Sequence, residues 1–156
     1  MVIQRWQSVL LLITAVMMAC FTFMSLGQVQ CESITLDFTT IGFNIMGETP
    51  EGVEPGYFVR TWPLFVISVL SFILPLINIF LYRNLRKQKT VCLVELLIIL
   101  TVCCSAAAYG YFAVPDYFVS WSSAVVAPLI AFVADLLAYR LICRDQRALR
   151  SADRIR

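Results

Sequence analysis

Apolar residues fall in four long runs, at about 7–26, 62–82, 91–113 and 121–142, separated by polar interruptions of unequal length. Each run is near the ~20 residues that a helix needs to cross the hydrocarbon of a bilayer. The pattern therefore predicts four transmembrane helices. The first run, "VLLLITAVMMACFTFM", exceeds the ~7 to 15 apolar residues of a signal peptide. The "SLGQVQC" after it offers only a weak cleavage site, and bulky Met17 and Met18 argue against a lipoprotein site at Cys20. The run is expected to stay as a span. Pro63 falls in the first turn of the second helix, where its missing N–H does no harm, whereas Pro75 and Pro128 are expected to kink their helices.

The first interruption, 27–61, is far longer than the ~4 to 6 residues of an ordinary connection. Inside it "ITLDF" and "IGFNI" alternate apolar with polar or small residues at period two, the signature of half-buried strands. A two-stranded element is expected, paired through a turn near Thr39 and Thr40 or joined as one strand with a bulge. The "GETPEGVEPG" stretch that follows is rich in turn formers and is expected to be mobile. The fold class is thus all-α integral membrane: a four-transmembrane-helix bundle, one membrane domain, with a small β-element in the first extracytoplasmic loop.

Composition agrees with lipid as part of the solvent, since 60% of the residues are hydrophobic and only 14% charged, against about 25% charged in soluble domains. Charge adds direction. Arg5, the four cations of "RNLRKQK" and six arginines from Arg140 onward place eleven of the twelve basic residues on one side of the four spans. The opposite side carries Glu32, Asp37, Glu48, Glu51 and Glu54 against a lone Arg60. By the positive-inside rule the basic side is cytoplasmic, which gives a multi-pass membrane protein with both termini and the tail 143–156 in the cytoplasm. Tyr57, Phe58, Trp62, Tyr109, Tyr111, Tyr117 and Trp121 gather at the expected outer interface, and Trp6, Tyr82 and Tyr139 at the inner one, as aromatic belts do.

Histidine is absent, which removes imidazole metal sites and histidine-based acid or base chemistry together. Of the six cysteines only Cys31 falls in the outer loop, and there is no CxxC, so the paired thiols that disulfide exchange requires are missing. Cys103 and Cys104 are read as small apolar packing residues. There is no glycine-rich phosphate loop, and the basic residues beside the spans suit anionic lipid rather than nucleic acid. No cofactor and no catalytic or metal site is expected, and the protein is read as no enzyme.

The residues that depart from the apolar pattern are Glu95 and Asp135, joined by Asn78. At 1.5 Å per residue, Glu95 lies roughly 7 Å in from Thr90 and Asp135 roughly 13 Å in from Arg144. An acid at a helix centre costs roughly 2.5 to 3.5 kcal/mol, while the Leu, Ile, Val and Phe residues of the fourth run return only about 3 to 6 kcal/mol. Such residues are expected to face the bundle or a partner. The favoured arrangement is a structural cluster of Asn78, Glu95, Asp135 and Arg140, with Arg83 or Arg5 as other partners for the acids. The competing reading is a proton or cation path, against which the outer half of the third run, "IILTVCCSAAAYG", offers only small residues.

In the tail, Ala148, Leu149, Ala152 and Ile155 recur at helical spacing among arginines, predicting a short amphipathic helix that continues the fourth span or lies along the membrane surface. The start "IQRWQSVLLL", the close "RDQRALRSADRIR", and "WPLFVISVL" and "IFLYRNLRKQ" around the second span resemble a small inner-membrane family of the Bacteroidetes, domain of unknown function four-two-nine-three. The resemblance covers nearly the whole chain. It implies four spans and a cytoplasmic tail, and it brings no catalytic residue. The functional expectation is a non-enzymatic accessory or scaffolding subunit. Its cytoplasmic interaction surface would be Gln4, Arg5, Arg150, Asp153 and Arg154, and its partners the lipid bilayer and a membrane protein or a second copy. The alternative is a small ion- or proton-coupled transporter or channel that uses Glu95 and Asp135.

Overall fold

The computed structural model describes residues 2–31, 34–46, 56–113 and 119–153. The stretch 47–55, the "PDYF" turn with Tyr117, and Arg154 lie outside the described residues, as do the side chains of Gln4, Arg5, Tyr57, Phe58, Arg83, Arg150 and Asp153.

Four helices follow the four apolar runs: α1 (Val2–Phe23), α2 (Trp62–Phe80), α3 (Leu85–Phe112) and α4 (Ala127–Asp153). All four are long and apolar enough to cross a membrane. Both α1 and α3 pack on α2 and on α4, so the helices form a ring in chain order. Large apolar side chains point outward, among them Leu12, Val16, Val66, Leu70, Leu97, Leu100, Leu129 and Val133. Such an exterior suits contact with lipid tails, and the protein is a multi-span membrane protein.

Several boundaries move from their expected places. The basic stretch 83–89 is not an open loop: a short 3-10 turn (Leu81–Arg83) and Asn84 lead directly into α3, so Arg86, Lys87 and Lys89 sit on its first turns. The tail continues α4 helically to Asp153. Pro128 is not a mid-helix kink either. A 3-10 turn at Ser123–Val126 precedes it and leaves it in the first turn of α4, where proline costs the helix nothing.

At one end of the bundle lies a sheet larger than the expected pair of strands. Its strands are β1 (Gly27–Cys31), β2 (Ile34–Phe38), β3 (Gly42–Met46), β4 (Tyr57–Arg60) and β5 (Val119–Trp121), arranged in the antiparallel order β4-β3-β2-β1-β5. The predicted hairpin is present as β2 and β3, with Phe38 opposite Phe43 and their rings stacked at 4.4 Å. The strand β5 comes from the connection between α3 and α4 and pairs Gly27 with Trp121. Gly27 is required there, since a Cβ would come within 2.8 Å of the Ser120 carbonyl oxygen. One face of the sheet merges with the helix ends: Val29, Leu36, Phe38 and Phe43 share a single buried cluster with Met18, Phe21, Leu64, Ile99, Val102 and Ala131.

Two threonines tie the sheet to the helices. The Thr40 hydroxyl donates to the Thr22 carbonyl at 2.7 Å, and the Thr61 hydroxyl donates to the Thr40 carbonyl at 2.8 Å. The turn between β2 and β3 thereby bridges the end of α1 and the start of α2. The Ser25 hydroxyl also donates to the Asp37 carboxylate, which satisfies an acid that the sheet buries.

Candidate functional site: a polar layer between two apolar clusters

The bundle interior is stratified. Toward the sheet lies the large cluster just described, which reaches Met18 on α1, Ile99 on α3 and Ala131 on α4. Toward the opposite, basic end lies a second cluster built from Leu11, Cys92, Ala138 and Ile142, with Ile79 and Tyr139 packed against it. Between the two, each helix turns a polar side chain inward. These are Thr14 on α1, Glu95 on α3 and Asp135 on α4, with Asn78 of α2 at the lower border and Ser68 and Ser71 of α2 reaching up beside the sheet-side cluster; all are fully buried.

Helical periodicity builds this layer. On α3 the buried positions run Gln88, Cys92, Glu95, Ile99 and Val102, steps of three and four that stack on one face. On α2 they run Leu64, Ser68, Ser71, Pro75 and Asn78, so its only three strongly polar interior side chains share one stripe. From Ser68 to Asn78 that stripe is roughly 15 Å long at 1.5 Å per residue. It extends polar groups well beyond the depth of the acids.

The contacts inside the layer are few. The Asn78 amide donates to the Cys92 sulfur at 3.1 Å, joining α2 to α3. The Cys92 thiol lies close to the Asp135 carboxyl of α4, and Glu95 and Asp135 lie near enough for their charges to interact. The Thr14 hydroxyl is held by the Leu10 carbonyl at 3.1 Å, within α1. Yet all four carboxylate oxygens of Glu95 and Asp135 lack a conventional hydrogen-bond partner, as do the Asn78 carbonyl oxygen and the hydroxyls of Ser68 and Ser71. Burying a polar group unsatisfied costs roughly 2 to 7 kcal/mol by transfer measurements.

Arg140 does not supply the missing partner. It is exposed on α4, five residues beyond Asp135, a spacing that turns it about 140° away around the helix. The cluster expected from sequence therefore keeps Asn78, Glu95 and Asp135 and loses Arg140. The expected pairing of the acids with Arg140 is corrected accordingly. In its place come Cys92 and the serines of α2. Gln88, one turn below Cys92, is also buried with its side-chain oxygen unpartnered. The spacing of Gln88, Cys92 and Glu95 at i, i+4 and i+7 was a visible signal for this face.

At the basic end, Gln4 and Arg5 fall in the first turns of α1, and Arg150 and Asp153 in the last turns of α4. A nearby bond sets these segments side by side: the buried Gln7 amide donates to Asp145 at 2.6 Å. Among the described residues no group of three or more His, Cys, Asp or Glu side chains is placed to hold a metal ion.

Fold and site together define a multi-span membrane protein: a ring of four helices, capped by a sheet at one end and carrying a buried polar layer. The chain belongs to the family described as Domain of unknown function (DUF4293), whose model matches residues 3–155. No curated protein matches it.

Proposed function

We propose that this protein is a non-enzymatic, ion-coupled component of the inner membrane, which binds a proton or a small cation in the layer between its two apolar clusters. One observation carries the reading: two buried acids and an amide oxygen on three helices present acceptors that no described donor satisfies. Acceptors gathered in a water-poor interior are completed by a species that brings positive charge or hydrogen. The apolar clusters on either side would keep the bound species out of contact with water. Ser68 and Ser71 continue the polar row toward the sheet.

Ion flux in proteoliposomes under imposed proton and sodium gradients tests this proposal. Flux that Glu95→Gln or Asp135→Asn abolishes supports it. Absence of flux under every gradient, together with a melting curve indifferent to pH and to added cations, overturns it.

A second reading, an accessory or scaffolding subunit, draws support from the sheet, which ends on the strands β4 and β5, and from the helical tail. Mild extraction with mass spectrometry of co-purifying proteins tests it, and a stoichiometric partner lost on replacing Arg150, Asp153 and Arg154 with alanine supports it. The orientation, with the sheet outside and the basic end cytoplasmic, follows from the charge asymmetry. Accessibility of single cysteines placed at each end checks it.

A further inference from the structure

A groove of about 540 Å³ opens near the basic end between α3 and α4, lined by Arg86, Lys89, Thr90, Leu93 and Gln146. It lies apart from the polar layer and shares no residue with it. Its two cations have no carboxylate partner among the described residues, and the neighbouring acid on α4, Asp145, is taken by Gln7. Lys89 is held over the Tyr139 ring, 5.6 Å from its centroid, an arrangement that positions the ammonium without neutralising it. Among the described residues the groove therefore presents two positive charges that no carboxylate compensates, and the side-chain amide of Gln146.

What lies next to the groove identifies its occupant. Arg86, Thr90, Leu93, Leu97 and Leu100 recur along α3 at steps of four, three, four and three, which places them on one stripe of the helix. Leu93, Leu97 and Leu100 are 48%, 58% and 53% exposed. The stripe thus begins with a cation at the end of the span and continues as an open leucine track along the lipid-facing surface. A free anion would use only the first part of it. A phospholipid uses both, with its phosphate against Arg86 and Lys89 and its acyl chain along the leucines.

We infer that the groove between α3 and α4 is a binding site for an anionic phospholipid, with Arg86 and Lys89 holding the headgroup phosphate, Gln146 donating to it, and Leu93, Leu97 and Leu100 carrying an acyl chain. The inference stands independently of the ion-coupling proposal, because neither site contributes residues to the other.

The test is native mass spectrometry of the full-length protein, released from mixed vesicles of phosphatidylglycerol and phosphatidylcholine, for the lipid retained. Phosphatidylglycerol is expected to be retained preferentially. Replacing both Arg86 and Lys89 with alanine is expected to lower its affinity roughly 10- to 30-fold, the effect of about 1 kcal/mol for each basic residue near an anionic surface. Replacing Lys87 and Arg147, two exposed cations outside the lining, removes the same charge and is expected to leave retention nearly unchanged. An equal loss in both double variants, or equal retention of the two lipids, overturns the site. Inorganic phosphate in place of lipid distinguishes the two sources of the anion: if it protects the protein from thermal unfolding as well as phosphatidylglycerol does, the leucine track is no part of the site and the lipid assignment fails.

Discussion

Asn78 and Cys92 meet in the bundle interior with the amide nitrogen 3.1 Å from the sulfur, the one hydrogen bond among the described residues that joins α2 to the face of α3 bearing Glu95. Cys92→Ala removes the acceptor and leaves a buried amide N–H unpaired. A loss of about 1 to 3 kcal/mol of stability is expected, with Cys92→Ser falling between alanine and the native residue because it keeps an acceptor. Thermal unfolding of the purified protein in a single detergent measures the order. Equal stability of all three would show that the contact contributes nothing.

Glu95 and Asp135 are expected to cost stability. Each occupies the interior without a conventional hydrogen-bond partner, and an acid near the centre of a span is unfavourable by roughly 2.5 to 3.5 kcal/mol. Glu95→Gln and Asp135→Asn should therefore raise the melting temperature while abolishing ion coupling, the trade expected where function holds a group that packing alone would exclude. A fall in melting temperature for either variant would assign its carboxylate a structural bond instead.

Gly110 of α3 lies against the indole of Trp121 on β5. A Cβ at Gly110 would lie 2.5 Å from the indole ring, so Gly110→Ala forces the ring or the helix to move, at a cost of about 1 to 3 kcal/mol. Pairing it with Trp121→Leu should recover part of that loss. The double variant, compared with both single ones by thermal unfolding, separates a clash at this contact from an effect on α3 alone.

Gln7 and Asp145 are 138 positions apart in sequence and bonded at 2.6 Å. A double-mutant cycle with Gln7→Ala and Asp145→Ala should return a coupling of about 0.5 to 3 kcal/mol, as residues in direct contact do. Strictly additive losses would mean that the bond does not hold the ends of α1 and α4 together.

The sequence by itself determined the four spans, because lipid is a solvent that reads hydropathy one residue at a time and requires every spanning backbone to satisfy its own hydrogen bonds. It also determined the gathering of basic residues at one end and the β2–β3 hairpin, whose period-two alternation is local. Only the tertiary structure decided the rest. The strands β4 and β5 are short, at four and three residues, and β5 finds its partner some ninety positions away at Gly27, so no local pattern marked it. Asn78, Glu95 and Asp135 were legible as anomalies in apolar runs, but which groups they would meet depended on how each helix is rotated about its axis. That rotation is set by packing among four helices at once. It sends Arg140 outward, brings Cys92 between Asn78 and Asp135, and leaves the two acids between one apolar cluster toward the sheet and another toward the basic end.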